Sequence, residues 1–178
     1  MHIKINLLGY QLALHGSARR LRRDYVAGYT NRCKNGSFIV FLDYDNVEFK
    51  WIAAELEHLQ ERFMLGDFYI FASSDDSFHA VCFDKVNLSV YLDILKNSSV
   101  DPNYITVPLH FGKKIWTLRL TDKDDIPIRF VGALKSKAFS FRQESTAHAD
   151  VLNSLFDLGI KLNNPDGVKE LVLARYPI

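Results

Sequence analysis

Two aspartates stand two positions apart at the end of an apolar run. Residues 38–42 read Phe-Ile-Val-Phe-Leu, and Asp43-Tyr44-Asp45 follow directly. Because side chains alternate between the faces of a strand, Asp43 and Asp45 are predicted to project to one side and Tyr44 to the other. Two ionised carboxylates this close repel each other unless a cation lies between them, and their oxygens suit Mg²⁺ or Mn²⁺. The alternative is a solvated acidic turn in which Asn46 caps the next helix.

A serine and a histidine introduce a second apolar segment. Ser77-Phe78-His79 lead into residues 78–83, and strand alternation places Ser77 and His79 on one face, opposite Phe78. A hydroxyl and an imidazole can both donate hydrogen bonds to phosphate oxygens, and a protonated histidine adds positive charge. The alternative is a surface histidine next to a hairpin turn.

A basic strand face and one more acid could join these groups. Arg119, Thr121 and Lys123 alternate along the chain and are predicted to line one face of a strand. Arginine can bind a phosphate through two parallel hydrogen bonds, and lysine supplies a compact charge. Asp101 is a candidate third carboxylate, although the Asp-Pro pair that it forms with Pro102 is also a common way to open a turn.

Charge is unevenly distributed along a chain that is almost neutral overall. Lys and Arg number 22 against 21 for Asp and Glu, which gives a net charge of +1. Acids concentrate at 43–61, 75–76 and 122–125, whereas basic residues gather in the N-terminal quarter. This arrangement suits an acidic ligand held near bound cations, although a run of charge is more often a solvated helix face. The basic cluster comprises Arg19, Arg20, Arg22 and Arg23, followed by Tyr25 and Tyr29.

The elements that must position these groups follow from hydrophobic periodicity. The run 38–42 predicts a strand buried on both faces. Further strands are predicted at 68–72, 78–83, 104–109, 115–121 and 127–131, and helices over 47–64 and 87–96. Residues 17–30 are predicted to be a helix or an ordered arm. Two tail helices are predicted, one near Ser145 and one at Pro165, where Asn164 provides a cap followed by proline.

This order predicts an α+β fold, a mostly antiparallel sheet with packed helices that contains an RRM-like or ferredoxin-like unit. The 178 residues are expected to form one domain with a basic segment 1–37, a core 38–131 and a helical C-terminal part 132–178. Cys33 and Cys82 fit neither a disulfide framework nor a zinc site, and Cys82 is expected to be a buried thiol. Without a signal peptide or a run approaching about 20 apolar residues, the expected location is cytoplasmic, with no membrane partner.

Taken in order, the motifs resemble the archaeo-eukaryotic primase superfamily, and specifically the minimal primase-polymerase cores of plasmids, phages and viruses. That family's pattern is a hydrophobic strand ending in D-x-D, a strand introduced by S-x-H, and a hydrophobic residue followed by Asp. The matches are Phe-Leu-Asp43-Tyr-Asp45, Ser77-Phe-His79 and Val-Asp101, with Arg119 and Lys123 as the basic residues that often follow. The resemblance spans residues 38–123, and Asp122, Asp124 and Asp125 are alternatives to Asp101 as the third acid.

The resemblance implies a metal-dependent nucleotidyltransferase that acts in the replication of a small replicon. It implies that Asp43, Asp45 and Asp101 hold two divalent ions, Mg²⁺ or Mn²⁺, which activate a 3′-hydroxyl and stabilise the leaving pyrophosphate. The residues implied to bind the nucleoside triphosphate are Ser77, His79, Arg119 and Lys123. Candidate contacts to a single-stranded or primed template are Arg19, Arg20, Arg22, Arg23, Tyr25 and Tyr29. A separate helicase or replication protein is a further expected partner, because the chain has no room for a helicase module.

Three other functions remain open. The segment from Phe41 to Val47 also resembles the D-x-D-N opening of NYN/PIN-like nucleases and the first motif of HAD phosphatases. Both of those classes expect a parallel sheet, and neither gives Ser77 and His79 a role. The non-enzymatic alternative is an inactive nucleic-acid-binding replication protein of the primase fold, in which Asp43 and Asp45 could change without loss of function.

Overall fold

The computed structural model describes six stretches of the chain, residues 2–7, 10–15, 25–120, 126–137, 140–167 and 173–177. The strands within them are β1 His2–Leu7, β2 Tyr10–His15, β3 Tyr25–Thr30, β4 Phe38–Tyr44, β5 Phe68–Ala72, β6 Phe78–Val86, β7 Thr117–Arg119, β8 Arg129–Leu134 and β9 Leu173–Pro177. The helices are α1 Phe49–Phe63, α2 Leu88–Lys96, α3 Pro102–His110 and α4 Thr146–Phe156. All strand pairs within the three sheets are antiparallel. The predicted α+β class, with antiparallel sheets and packed helices, is confirmed.

A four-stranded sheet with the order β4-β6-β5-β8 holds the candidate residues. Strands β4 and β5 are connected through α1, and β6 lies between them after a tight hairpin from β5. A second sheet has the order β7-β3-β9, and β1 and β2 form a two-stranded hairpin. The chain therefore places β4 next to β6, although α1 and β5 separate them in sequence.

One face of the four-stranded sheet packs against α1 and α2. Val40 and Leu42 of β4 share a buried cluster with Leu56 of α1 and Ile94 of α2. Residues 38–42 are all buried, as predicted for a strand covered on both faces. Burying a side chain of this size stabilises the fold by about 1.5–3 kcal/mol.

The opposite face packs against the second sheet and α4. Phe41 of β4 and Val81 of β6 share a second buried cluster with Leu118 of β7 and Leu152 of α4. Helix α4 begins after Ser145, at the predicted position. His148 joins this helix to β3 because its ring lies 2.8 Å from the carbonyl oxygen of Thr30.

Helix α3 replaces the strand that was predicted over 104–109, so that prediction is wrong. Asp101 caps the helix, because its side chain accepts a hydrogen bond from the backbone N–H of Asn103, and Pro102 occupies the first turn. This cap and proline start the helix even though Ile105 and Val107 are β-branched residues that favour strands. No side chain of α3 is fully buried.

The prediction of a helix start at Pro165 is also wrong, since residues 165–167 are not helical. Pro165 instead forms a bridge with Glu144, and the backbone N–H of Asp166 donates to the Glu144 carbonyl. The Glu144 carboxylate accepts from the N–H groups of Asn163 and Asn164. The backbone N–H groups of this segment therefore bond to Glu144 and not within a helix. The C-terminal part of the chain contains β9 as well as α4.

The remaining predicted elements are present, some with different bounds. Helices α1 and α2, strand β5 and the polar turn after it match their predictions, and β6 starts at the predicted residue but extends to Val86. The strands predicted at 115–121 and 127–131 correspond to the shorter β7 and the shifted β8, and residues 25–30 are strand β3 rather than helix. Cys33 and Cys82 are both free and buried. None of the helices in the described stretches is long and apolar enough to cross a membrane.

Candidate functional site

Asp43 and His79 are direct neighbours across β4 and β6. They are register partners, and His79 Nε2 lies 3.3 Å from Asp43 Oδ1. The His79 side chain is 8% exposed and that of Asp43 is 25% exposed, so the imidazole is held in place while the carboxylate reaches solvent. Two motifs that are far apart in sequence therefore meet at one end of the sheet.

Strand alternation explains how the sequence builds this pair. Tyr44 follows Asp43 and turns to the opposite face, where its ring is buried and its hydroxyl donates to Glu55 Oε1 at 2.9 Å. Phe78 precedes His79 and is buried on that same opposite face. Because these two aromatic rings are fixed in the core, their strand neighbours must point to the other side of the sheet.

Asp45 lies beyond the end of β4 and is exposed. The bend that carries it includes Asn46 in the left-handed region, with φ of 58°. The next residue, Val47, donates its N–H to the Asp76 carbonyl, which ties this bend to the β5–β6 hairpin. Asn46 does not cap α1, because the cap position is Glu48. Asp45 therefore belongs to the same end of the sheet as Asp43, but in a more open setting.

Asp101 lies beside Asp43 through its main chain. Its backbone N–H donates to the Asp43 carbonyl at 2.9 Å. Its carboxylate Oδ1 accepts from the backbone N–H of Asn103 at 3.0 Å and lies 3.3 Å from the Asn103 amide nitrogen. The third motif therefore lies next to Asp43 in the fold through its main chain, with one carboxylate oxygen engaged in capping α3.

The hairpin between β5 and β6 places Ser77 and Arg119 at this same end of the sheet. The Ser77 carbonyl closes the turn by accepting from the N–H of Ser73, and its side chain is half-buried. Arg119 reaches the turn from β7, where its guanidinium donates to the Ser73 carbonyl at 2.8 Å and to the Ile126 carbonyl at 3.3 Å. The hairpin backbone thus fixes the position of this cation.

Some predicted site residues lie elsewhere. Arg19, Arg20, Arg22, Arg23 and Lys123 lie outside the described residues, as do Asp122, Asp124 and Asp125, and Tyr25 is described only as part of the β3 backbone. Tyr29 is 1% exposed and packs against Phe41 with ring centroids 4.6 Å apart. Tyr29 is therefore a core residue, and the prediction that it contacts a template is wrong.

The grouping of the candidate acids bears on whether they could hold a divalent cation. Among the described residues, no three His, Cys, Asp or Glu side chains come together in a way that could hold a metal ion. Asp43 and Asp45 supply the hard oxygens that Mg²⁺ prefers, and Mg²⁺ is commonly held by one or two carboxylates together with substrate phosphates and water. The two acids fit an ion shared with a phosphate ligand rather than an ion enclosed by protein.

A second set of buried polar residues lies at the far end of β6. Asp84 is fully buried and accepts from the N–H of Gly66 and from the Ser140 hydroxyl, and burial raises the pKa of its carboxyl. Burial likewise raises the pKa of Glu144, and Lys85 forms a buried ion pair with Asp166. These contacts join residues 140–166 to the sheet, so we assign this cluster to stability.

A groove between α3 and β7 does not follow from the sequence prediction, because a strand over 104–109 would leave no helix there. Its volume is about 350 Å³. The residues that line it are Asn103, Tyr104, Val107, Pro108, Phe111, Lys113, Ile115 and Thr117. The signal that could have revealed it is the run His-Phe-Gly-Lys-Lys at 110–114, where an aromatic residue is flanked by cations.

Comparison of the chain with protein-family models, with curated proteins and with solved structures gave no significant match. The described site is therefore characterised by its own geometry. It combines a carboxylate and an imidazole in contact, a more exposed carboxylate, and a cation held at the adjacent turn. Such a set can bind a phosphorylated ligand and position it for charge-dependent chemistry.

Proposed function

We propose that the protein is a metal-dependent nucleotidyltransferase of the primase-polymerase type, which joins a nucleoside triphosphate to a nucleic-acid strand. The observation that carries the proposal is the contact between Asp43 and His79, whose side chains come within 3.3 Å across neighbouring strands. The D-x-D and S-x-H motifs have separate places in the sequence, so their meeting at one end of a sheet is not required by either motif alone.

The strand order also supports the proposal. In a ferredoxin-like unit, the strand-helix-strand-strand part places the third strand between the first two. Here β4, α1, β5 and β6 have that arrangement, with β6 between β4 and β5. The fourth strand of the sheet is β8, which pairs with β5 at the outer edge. We propose that β4, β5 and β6 with α1 form the RRM-like unit implied by the resemblance, and that β8 is an additional strand.

The side chains have distinct roles under this proposal. His79, held against Asp43, keeps the carboxylate oriented and offers a donor to a triphosphate oxygen. Arg119 and Ser77 neutralise and position the triphosphate from the hairpin side, and Lys123 is the further predicted cation. The protein's contribution is mainly positioning and charge stabilisation, which are the main requirements of phosphoryl chemistry.

A divalent ion would be held by Asp43 and Asp45 together with the phosphates. Such an ion supplies charge neutralisation and lowers the pKa of an attacking hydroxyl. Asp101 remains a predicted third ligand, and that role would have to use its Oδ2, because Oδ1 already caps α3.

The sheet that carries Asp43 argues against two of the alternatives. NYN/PIN-like nucleases and HAD phosphatases are expected to place their first acid on a parallel sheet, whereas β4 pairs antiparallel with β6. Neither class uses a histidine on the neighbouring strand. An inactive binding protein of the same fold is the alternative that a direct assay must separate from the enzyme.

The test is nucleotide incorporation on single-stranded and primed templates with Mn²⁺ or Mg²⁺, using dNTPs and NTPs in parallel. We expect incorporation by the wild type and a loss of about a hundred-fold or more in Asp43→Asn and in Asp45→Asn, because each removes a negatively charged ligand of the cation that would balance the triphosphate. Asp93→Asn, which changes an exposed acid on α2, is the matched control and should retain wild-type activity.

Each outcome of this assay is informative. Degradation of the template by the wild type would replace the proposal with the nuclease alternative. Template binding without incorporation under all four metal and nucleotide conditions would replace it with the inactive binding protein. Equal activity in Asp43→Asn and Asp93→Asn would show that any observed incorporation does not use this site.

A further inference from the structure

The groove between α3 and β7 is connected to Asp43 by hydrogen bonds. Asn103 lines the groove and donates its N–H to Asp101, whose own N–H donates to the Asp43 carbonyl. Thr117 lines the opposite wall, and Arg119 lies two residues further along β7. Two consecutive hydrogen bonds therefore connect a residue of the groove wall to the main chain of the candidate catalytic acid.

An aromatic ring marks the outer end of the groove. Phe111 is 67% exposed, although it is among the most apolar residues of the chain, and it follows α3 directly. Val107 and Leu109 on the same helix are 48% and 39% exposed. A large exposed ring beside a cavity lined by Tyr104 and Pro108 offers an apolar surface to a flat ligand.

The segment that follows α3 carries positive charge. Residues 102–121 contain no aspartate or glutamate. Lys113 and Lys114 follow Phe111 and are both exposed, and His110 precedes it. Gly112 adopts a φ of 64°, which turns the chain between the ring and the two lysines. A ligand that contacts the ring therefore also meets positive charge.

We propose that this groove binds a single-stranded nucleic acid, with one base against Phe111 and the adjoining phosphates near Lys113 and Lys114. Aromatic rings beside lysines are the combination that binds single strands without sequence preference, since every base has a flat face and every linkage carries a negative charge. An apolar peptide would use the ring and the cavity but would gain nothing from the two lysines. The binding itself is independent of the proposed catalytic activity, whereas a role in presenting the strand to Asp43 rests on it.

The experiment measures the affinity of the full chain for fluorescently labelled oligo(dT) and oligo(U) in EDTA, so that neither metal nor nucleotide is needed. We expect Phe111→Ala to weaken binding about ten-fold through loss of stacking. Lys113→Gln should reduce the dependence of affinity on salt concentration by about one phosphate contact. The matched controls are Phe141→Ala and Lys137→Gln, which change residues that are 79% and 81% exposed elsewhere and should leave both quantities unchanged.

Crosslinking locates the strand. An oligonucleotide that carries 5-iodouracil should crosslink to a peptide containing Phe111. Failure of the wild type to bind either oligonucleotide, or equal affinity of Phe111→Ala and Phe141→Ala, would overturn the proposal. Displacement of the bound oligonucleotide by an apolar peptide would also overturn the proposal, and would indicate a protein partner instead. Retained strand binding by an inactive wild type would instead disprove the proposed enzyme and leave the groove assignment intact.

Discussion

At the scale of single residues, the two acids of the D-x-D motif are not equivalent. Asp43 is inside β4, contacts His79 and has its carbonyl bonded to Asp101, whereas Asp45 is exposed on a bend. The first carboxylate is therefore oriented by the fold before any ligand arrives. The second can move toward a ligand. One fixed and one movable carboxylate suit an ion that is shared with phosphate groups.

Another single residue, His148, should make stability depend on pH. It is buried, its Nε2 donates to the Thr30 carbonyl, and its Nδ1 accepts from the Ser145 hydroxyl. Burial lowers the pKa of His148 to about 4, an effect that Lys85 adds to, while the Thr30 carbonyl and Asp166 oppose it. The folded protein thus resists a proton that the unfolded chain accepts below about pH 6.5.

We therefore expect the free energy of unfolding to fall as the pH is lowered from about 6.5 to 4, by about 3 kcal/mol from this residue. His148→Gln keeps a donor for Thr30 and cannot titrate, so its unfolding free energy should lack this component. Urea denaturation at several pH values gives the free energy of unfolding of both proteins, and the change of that free energy with pH is then compared. Parallel pH profiles would contradict the prediction, because they would show that folding does not change the pKa of His148.

At the scale of elements, strands and helices with strong hydrophobic patterns were predictable. The run ending at Leu42 predicted a doubly buried strand, and alternation correctly placed Tyr44 opposite Asp43. The start at Pro165 failed because the donors of that segment pair with Glu144, a contact between distant parts of the chain that no local pattern reveals. The contact of Asp43 with His79 was implied by the resemblance, but only the pairing of β4 with β6 establishes it.

Helix α3 shows which local signal outweighs another. Residues 104–107 read Tyr-Ile-Thr-Val, which favour strands, yet Asp101 and Pro102 begin a helix that covers them. The sequence carries this signal as a cap followed by proline, the same pattern that predicts a helix at Asn164 and Pro165. The side chain of Asp101 thus has a demonstrated structural task, which must be separated from its predicted role as a metal ligand.

Two substitutions at Asp101 separate these roles. Asp101→Ala should lower the free energy of unfolding by about 1 kcal/mol, since the cap is lost, whereas Asp101→Asn should retain it because asparagine caps helices equally well. Thermal or urea denaturation measures both. If Asp101 only caps α3, Asp101→Asn also keeps full nucleotide incorporation. A loss of incorporation in Asp101→Asn at unchanged stability would establish it as the third acid.

At the scale of the whole molecule, the site depends on how closely β3 and β7 pack within the second sheet, and on the contact of β7 with the first sheet. Among the described glycines, Gly28 on β3 has the closest neighbours, since a Cβ atom there would lie 2.5 Å from the Leu118 carbonyl oxygen and 2.8 Å from the Thr117 methyl group. This approach places β7, and with it Arg119, above the β5–β6 hairpin. A residue remote from the site therefore helps to set the position of one of its cations.

Gly28→Ala should consequently lower the free energy of unfolding by about 1–3 kcal/mol, the usual cost of overpacking. Gly132→Ala on β8 is the matched control, because a Cβ atom there meets nothing within 4 Å and the backbone is not left-handed. The control should change stability by less than about 0.5 kcal/mol. Urea denaturation of the two variants gives the comparison, and equal stability would mean that β3 and β7 can separate without cost.

The pairing of β3 with β9 has a consequence for the order in which the molecule assembles. All four strands of the central sheet lie between residues 38 and 134, whereas β3 must find a partner at residues 173–177. Contacts that close such long loops form late, because their entropic cost is met only after local structure exists. During synthesis, the Asp43–His79 pair can form before α4 is made and before β3 pairs with β9. At that stage the sheet face that carries Phe41 and Val81 is not yet fully covered. The nascent chain therefore presents an apolar surface to chaperones.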